Sequence, residues 1–330
     1  MKKNGLLLVF SFLFSISCSD LIIENNDINK NLNDFESAWK TAKQVYPFFQ
    51  FKNIDWDSLY RKYKPFALAS KGDEIYNVLF DLFRELKDGH IEIHTEGGFP
   101  VPTYLWPRDI DRSSFSQIVV SNYIGKPLKL AGENNISYEI FDNIGYIYLS
   151  TFEKGSWINN FDNILDYMKN TNGLILDVRN NGGGSGSTSD FVISRFIKQP
   201  IQRRMIYADG YIKQWPIQPG GSFTYTNQVV ILVNGSSFSA AESLPELMRQ
   251  LSNVTIVGST TGGGGGSNNI YTLPSGKRIK LPFAYLTRLD GKMIEWNGIV
   301  PDIIVEQTEA DKNNGRDKQL EIARLILIQK

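Results

Sequence analysis

Apolar positions recur at two different periods along the chain, and the change of period divides it. From Asn33 to Tyr46 the residues Phe35, Ala38, Trp39, Ala42 and Tyr46 fall three or four apart, as on one face of an α-helix. Asn33 and Glu36 are spaced as a capping box, and Pro47 ends the run. The same spacing predicts a second helix near Trp56 to Tyr63. A third carries Ile75, Val78, Leu79, Leu82, Phe83 and Leu86 on one face behind Asp73. Asp88-Gly89 breaks the pattern, and Ile91-Glu92-Ile93-His94 alternates as a strand does.

Residues 97–135 are broken by Gly97-Gly98, Pro100, Pro102 and Pro107, with Gln117 to Val120 reading as a short strand. After about residue 136 the apolar runs Ile144 to Leu149, Gly173 to Val178, Val229 to Val233 and Val254 to Val257 alternate with helical stretches near 157–168, 188–197 and 240–251. Continuous apolar strands separated by helices predict a largely parallel sheet covered on both faces. Arg278 to Leu286 reads as a further strand and Asp317 to Ile328 as a closing amphipathic helix. The expected organisation is an N-terminal helical domain (32–96), a connector with a small β element (97–135) and an α/β domain (136–330).

Composition narrows the partners. The 330 residues carry 35 basic and 35 acidic side chains, a net charge of zero that offers no basic excess for a nucleic-acid backbone. One Cys excludes an internal disulfide framework and a multi-Cys zinc site. That Cys stands in an address-like context: Lys2 and Lys3, an apolar run from Leu6 to Phe14, the small stretch Ser15-Ile16-Ser17, then Cys18. This is the layout of a secretory signal, and a Cys directly after it resembles the lipidation site of a bacterial lipoprotein, so residues 1–18 read as a signal region. Residues 19–31, polar from Asn25 to Asn31, read as a tether.

Three segments could carry chemistry. Leu176 to Gly184 runs a buried strand into the turn Asn180-Asn181-Gly182-Gly183-Gly184, where glycines let backbone N–H groups approach a ligand. It lacks the Gly-Lys-Ser/Thr ending of a phosphate loop. Leu232 to Glu242 is a second strand-to-helix turn, and Ser239 there is either a nucleophile at the C-terminal edge of the sheet or one of three candidate helix caps with Ser236 and Ser237. Leu86 to His90 ends the helical part, and His90 is either a general base or a solvated loop residue. His94 is the only other His; on a strand the two rings would lie about 13 Å apart, too far to share one ion.

Taken together these segments resemble the superfamily of tail-specific proteases, tricorn protease and the retinoid-binding repeats of the photoreceptor matrix. The resemblance runs through Ile54-Asp55-Trp56-Asp57, Leu86 to His90, Asp177 to Gly184, Ser239-Ala240-Ala241-Glu242, Gly298 to Asp302 and Asp317 to Leu320. It implies an α/β fold, a crotonase- and Clp-protease-like stack of ββα units with the helical domain in front. It also implies a serine peptidase acting on peptide or protein substrates, without a cofactor or metal, with Ser239 as nucleophile and an oxyanion hole from Ala240 and a glycine of the Gly182 to Gly184 turn, Gly183 foremost. One branch uses a Lys about twenty-five residues after the Ser, but Thr260 to Gly266 contains none, and Lys277 and Lys280 are poor substitutes. The tricorn-like branch takes its base from the His after Asp-Gly, here His90, with Glu295 fitting the acid before Gly298-Ile299-Val300-Pro301-Asp302. Asp88 is the rival orienting acid.

Glu242 is expected to tie the helix to a neighbouring loop, and Asp177 and Arg179 to hold the glycine turn. The run Gly262 to Gly266 is expected to be a loose loop beside the site, because glycine loses most freedom on ordering. An idle peptide- or lipophile-binding protein on the same scaffold is the competing function, and an acyl-CoA enzyme is a distant third.

Overall fold

The computed structural model describes the backbone of residues 18–95, 97–105 and 112–328, with side chains from residue 30 onward. The signal-like segment and the side chain of Cys18 lie outside the described residues. The first helix, α1 (Cys18–Val45), begins well before Asn33. No Gly or Pro interrupts those positions, so nothing stops the helix from extending through the stretch read as a tether. Asn31 is buried in it, its amide donating to the Ser70 carbonyl (3.2 Å), the Ser70 hydroxyl (3.1 Å) and the Gly72 carbonyl (3.0 Å). No helix starts at Asn33, so the capping box does not form; Glu36 accepts instead from Tyr60 (2.6 Å).

Helices α2 (Trp56–Ala69) and α3 (Ile75–Arg84) follow, α2 being capped by Asp55, which accepts the Ser58 N–H at 2.9 Å. The apolar faces of α1, α2 and α3 close over Leu273, Ile279 and Leu281 from the far end of the sequence. The link is a sheet. Strand β1 (Glu92–His94) pairs antiparallel with β2 (Pro100–Pro102) on one side and β12 (Arg278–Tyr285) on the other. Beyond β12 lie β7 (Ile201–Tyr207) and β8 (Ile212–Ile217), and β11 (Gly266–Thr272) also pairs with β12. The hairpin β7–β8, turning at Asp209-Gly210, was not expected from the sequence; its solvent-facing strands lack a continuous apolar run.

The second sheet runs β13 (Ile303–Ile304), β10 (Val254–Gly258), β9 (Gln228–Val233), β6 (Gly173–Asp177), β5 (Ile144–Leu149), β4 (Ile136–Phe141), β3 (Lys129–Ala131). The strands from β13 to β5 are parallel, as the apolar runs imply, and β4 and β3 close the edge antiparallel. Alternate residues face opposite layers. Leu174, Leu176, Val229 and Ile231 pack on α5 (Ile158–Tyr167), α6 (Gly186–Ile193) and α7 (Ala240–Met248). Tyr146, Ile175, Val230 and Leu232 pack on α4 (Gln117–Ile124) and on α9 (Lys318–Ile328), which follows the short α8 (Glu309–Asn313).

Two local expectations fail. Gln117 to Val120 starts helix α4 and is not a strand: its β-branched residues suggested extension, but Val119, Val120 and Ile124 share a buried face, and Gly125 caps the end at φ 73°. Residues 262–266 are not a loose loop. All five glycines are buried, and the strip is bonded along its length. The Gly262 N–H donates to the Ser237 carbonyl (2.9 Å), Gly263 and Gly264 to Glu242 (2.7 Å each) and Gly265 to Glu295 (3.2 Å). Glycine is required here by close approach. A Cβ on Gly264 would fall 2.2 Å from Phe238 Cζ.

Among the described residues no helix is long and apolar enough to cross a membrane.

Candidate active site

Two strand-to-helix turns at the C-terminal edge of the parallel sheet are tied to each other. The Asn180 N–H donates to Asn234 Oδ1 (2.9 Å), the Asn234 amide donates to Asn180 Oδ1 (2.8 Å), and the Ser237 hydroxyl donates to the Val178 carbonyl (2.8 Å). Below them Arg179 is buried, forked onto Asp177 and reaching Asp317 at 2.8 Å and Gln319 at 3.2 Å. This network is structural, as expected of Asp177 and Arg179, but it joins β6 to the start of α9 and, among the described residues, makes no bond to the glycine turn they were expected to hold. A buried pair of this kind specifies an arrangement more than it adds stability.

Ser239 is the last residue before α7 and sits at φ 57°, ψ −118°. A non-glycine residue in such a region costs about 1–3 kcal/mol and persists only where its surroundings enforce it. Glu242 does so: it accepts the Ser239 N–H (2.9 Å), the Thr261 hydroxyl (2.6 Å) and the N–H groups of Gly263 and Gly264. Burial pushes the Glu242 carboxyl up to about 6 against these four donors. The expected tie between helix and loop is therefore present, and it also holds the strained serine. Ser239 is also the N-cap of α7: its carbonyl accepts the Glu242 N–H (2.9 Å) while Glu242 accepts the Ser239 N–H, a reciprocal tie at the helix start.

The Ala240 N–H, at the helix N-terminus, has no partner among the described residues and is available to an anion. Gly183 abuts it, a Cβ there falling 3.0 Å from Ala240 N and 2.7 Å from Ser239 Cβ. Its own N–H, however, donates to Asn181 Oδ1 at 2.8 Å. The expected oxyanion donor at Gly183 is thus already engaged. Gly182 and Gly184 line the cleft beside it, and their N–H groups carry no partner among the described residues.

His90 enters from the turn after α3. Asp88 Oδ1 accepts the His90 N–H at 2.9 Å and fixes the turn. The ring is buried, lies 4.5 Å from the Phe238 ring and rests above the glycine strip, with a Cβ on Gly264 falling 2.7 Å from His90 Cε1. Among the described residues neither ring nitrogen has a hydrogen-bond partner, and Nδ1 stands 3.7 Å from Asp88 Oδ1. Glu295 is also buried here, and Asp88, His90 and Glu295 offer ligand atoms within 4.8 Å of one another.

That donor set could hold a metal ion, but a side chain already supplies the positive charge. Lys52 Nζ lies 2.7 Å from Glu295 Oε1 and 3.3 Å from Asp88 Oδ2, with neither its own side chain nor that of Asp88 reaching solvent. Tyr46 donates its hydroxyl to Asp88 Oδ2 at 2.8 Å. Burial works to raise the Asp88 carboxyl, but Lys52 and His90 together hold it well below its ordinary value. Glu295 goes the other way, pushed up to about 8 by burial and by the Asp88 charge.

Sequence reasoning missed Lys52 and took Tyr46 only as a core residue. The available signal was a lone cation closing the aromatic run Tyr46-Pro47-Phe48-Phe49-Gln50-Phe51, because a lysine in such a setting is buried only if paired.

His90, Phe238, Ser239, Ala240 and Gly264 to Gly266 line one cleft of about 680 Å³, which Met205, Trp215 and Phe283 also line. An Arg203–Asp190 pair and a Lys280–Glu92 pair (3.0 Å) stand in its walls. Lys277 pairs with Asp73 at 3.2 Å and does not line the cleft, nor does His94.

The sequence model described as peptidase family S41 matches residues 143–305, and that described as the tricorn protease C1 domain matches residues 29–85. A carboxy-terminal-processing protease of Bartonella bacilliformis is 27% identical over 191 residues, covering 56% of this chain and 44% of that protein. The chain spans less than half the length of that relative. The solved structure of a putative peptidase from Parabacteroides merdae superposes with a TM-score of 0.78 at 31% identity, covering 91% of this chain and 97% of the other. Tricorn protease shares the fold at a TM-score of 0.58 and 18% identity, over 92% of this chain and 37% of its own.

Proposed function

Because the chain belongs to peptidase family S41, we propose that it is a serine peptidase that cleaves peptide or protein substrates with Ser239 as nucleophile and His90 as base. The observation that carries this reading is the strained Ser239 at the N-terminus of α7, in one cleft with a buried imidazole whose nitrogens are uncommitted. Ser239 Oγ attacks the scissile carbonyl as His90 takes its proton, and the same proton passes to the leaving amine. Water then repeats the sequence on the acyl-enzyme. The Asp88 carboxylate, joined by Glu295 once that group ionises, stabilises the imidazolium formed on the way, and the Ala240 N–H, backed by those of Gly182 and Gly184, meets the oxyanion. In this reading the His90 ring closes onto Ser239 when substrate binds, as catalytic hydrogen bonds commonly tighten only in the complex. Of the two lysines considered as substitute bases, Lys277 is paired with Asp73 away from the cleft, and Lys280, in the cleft wall, is paired with Glu92.

Labelling with a fluorophosphonate probe tests the assignment. The wild type should be labelled, Ser239→Ala should not, and His90→Ala should lose most of the rate, the double variant costing little more because the pair acts as a unit. A His90→Ala protein labelled at the normal rate would reject the base. A folded wild type that never reacts would favour the binding-only reading, which the uncommitted His90 nitrogens also permit.

The signal-like start and Cys18 support export to the cell envelope with a lipid anchor. Release of a Cys18→Ser form from membranes that retain the wild type would bear this out; equal retention of both would reject it.

A further inference from the structure

We infer that Lys52 is a positioning residue for this reaction: its buried ammonium holds the Asp88 and Glu295 carboxylates around His90 and fixes where the imidazole points. The inference rests on the peptidase reading above. Its basis is geometric. Three separate parts of the chain meet at this ammonium: the turn carrying His90, the segment carrying Glu295 and the segment that follows α1.

Lys52 bonds all of them. Besides the two carboxylates it donates to the carbonyls of Leu86 (3.1 Å) and Lys87 (3.3 Å), the residues leading into Asp88. Its charge lies 5.0 Å from the Trp296 ring, 5.4 Å from Phe48 and 5.6 Å from Tyr46, so it is fixed on its remaining sides by π faces. The Trp296 indole N–H in turn donates to the Lys87 carbonyl at 3.2 Å.

Two buried carboxylates this close cannot both ionise without a cation beside them. With Lys52 present Asp88 stays ionised, and once Glu295 ionises as well the three groups carry a single net negative charge, the charge an imidazolium needs. Among the described residues the other titratable groups facing it are Tyr46, just after α1, and His90 itself. The glycine strip presents no charge, and Glu242 is turned to the backbone of that strip. Without the ammonium, Glu295 would retain its proton to still higher pH, and the turn bearing His90 would lose its tie to the helical part.

The test compares Lys52→Met and Lys52→Arg with wild type, reading the fluorophosphonate reaction against pH on protein shown to be folded by its melting transition. Lys52→Met should lower the maximal labelling rate about 100-fold, the loss typical of a misplacement near 1 Å, while probe affinity changes by less than about threefold. Its acid limb should move to higher pH. Lys52→Arg, which keeps the cation, should recover part of the rate and the normal limb. In a Glu295→Gln background, with one carboxylate left, Lys52→Met should cost less than about tenfold, and that pair of variants decides the matter if Lys52→Met alone does not fold.

A folded Lys52→Met protein with wild-type rate and an unshifted limb would overturn the inference. So would an equal cost in both backgrounds. A wild type that is itself unreactive would instead reject the peptidase reading.

Discussion

Replacing Gly264 by Ala should disable the site without touching any group that does chemistry. The added methyl would lie 2.2 and 2.3 Å from Phe238 Cζ and Cε2 and 2.7 Å from His90 Cε1. Carbon atoms pack at about 3.5–4.0 Å, so the Phe238 ring must retreat by about 1.3 Å or more. It cannot do so alone, because it faces His90 with ring centroids 4.5 Å apart, and Gly262 bounds it as well, a Cβ there falling 2.7 Å from Phe238 Cδ2. The strip cannot move away either, since Gly263 and Gly264 donate to Glu242 and Gly265 to Glu295.

Overpacking of this kind costs about 1–3 kcal/mol of stability. Displacing the imidazole by about 1 Å costs about 100-fold in rate. The expected outcome is a protein that still folds, with a lowered melting temperature and a fluorophosphonate rate reduced about 100-fold. If the clash acts through the ring, adding Phe238→Leu to Gly264→Ala should return at least about tenfold of that rate. A Gly264→Ala protein within about threefold of wild type, or a double variant no better than the single, would refute the reasoning.

Two further outcomes follow from the acids. Glu242→Gln keeps the shape but leaves at least one buried N–H facing the new amide and replaces charge-assisted bonds by neutral ones, so stability should fall by about 3–5 kcal/mol in chemical denaturation, with labelling of Ser239 slowed even where the protein is folded. The second concerns pH. Glu295 is raised from an ordinary 4.5 to about 8, so between those values the folded state holds a proton that the unfolded state has released, and this group's contribution to stability falls as pH rises from about 5 to about 8. Melting temperatures of Glu295→Gln should therefore decline less over that interval than those of the wild type; parallel declines would contradict the assignment.

The parallel sheet was legible because its signal is local. β5, β6, β9 and β10 are apolar runs buried on both faces, and no distant contact is needed to recognise them. Ser239, His90 and Glu295 were placed by the resemblance and not by periodicity; what the sequence itself carried was the strand-to-helix turn and the scarcity of His. The glycine strip was misread for a physical reason. Five glycines in a row signal freedom in isolation, but the same missing Cβ atoms permit the backbone to lie against Phe238, His90 and Trp296, and only the folded chain shows which applies. Lys52 was hidden for a related reason: its partners lie 36 and 243 positions away, and no local pattern records a contact of that separation.

Separation along the chain also bears on how the site comes into being. His90 leaves the helical part just before β1, and β1 is held by β12, which also pairs with β11, the strand that begins at the end of the glycine strip. Ser239 depends on Glu242, and Glu242 depends on the N–H groups of that same strip. The strained serine, the imidazole and the acid pair are thus three local arrangements that share one support, the run from Gly262 to Gly266. Pairing β1 and β11 with β12 brings the helical part and the parallel sheet into register on opposite sides of the strip. The geometry of the cleft then follows from the closure of that sheet, which is why a change at a glycine with no chemistry of its own is expected to be felt at Ser239 and at His90 together.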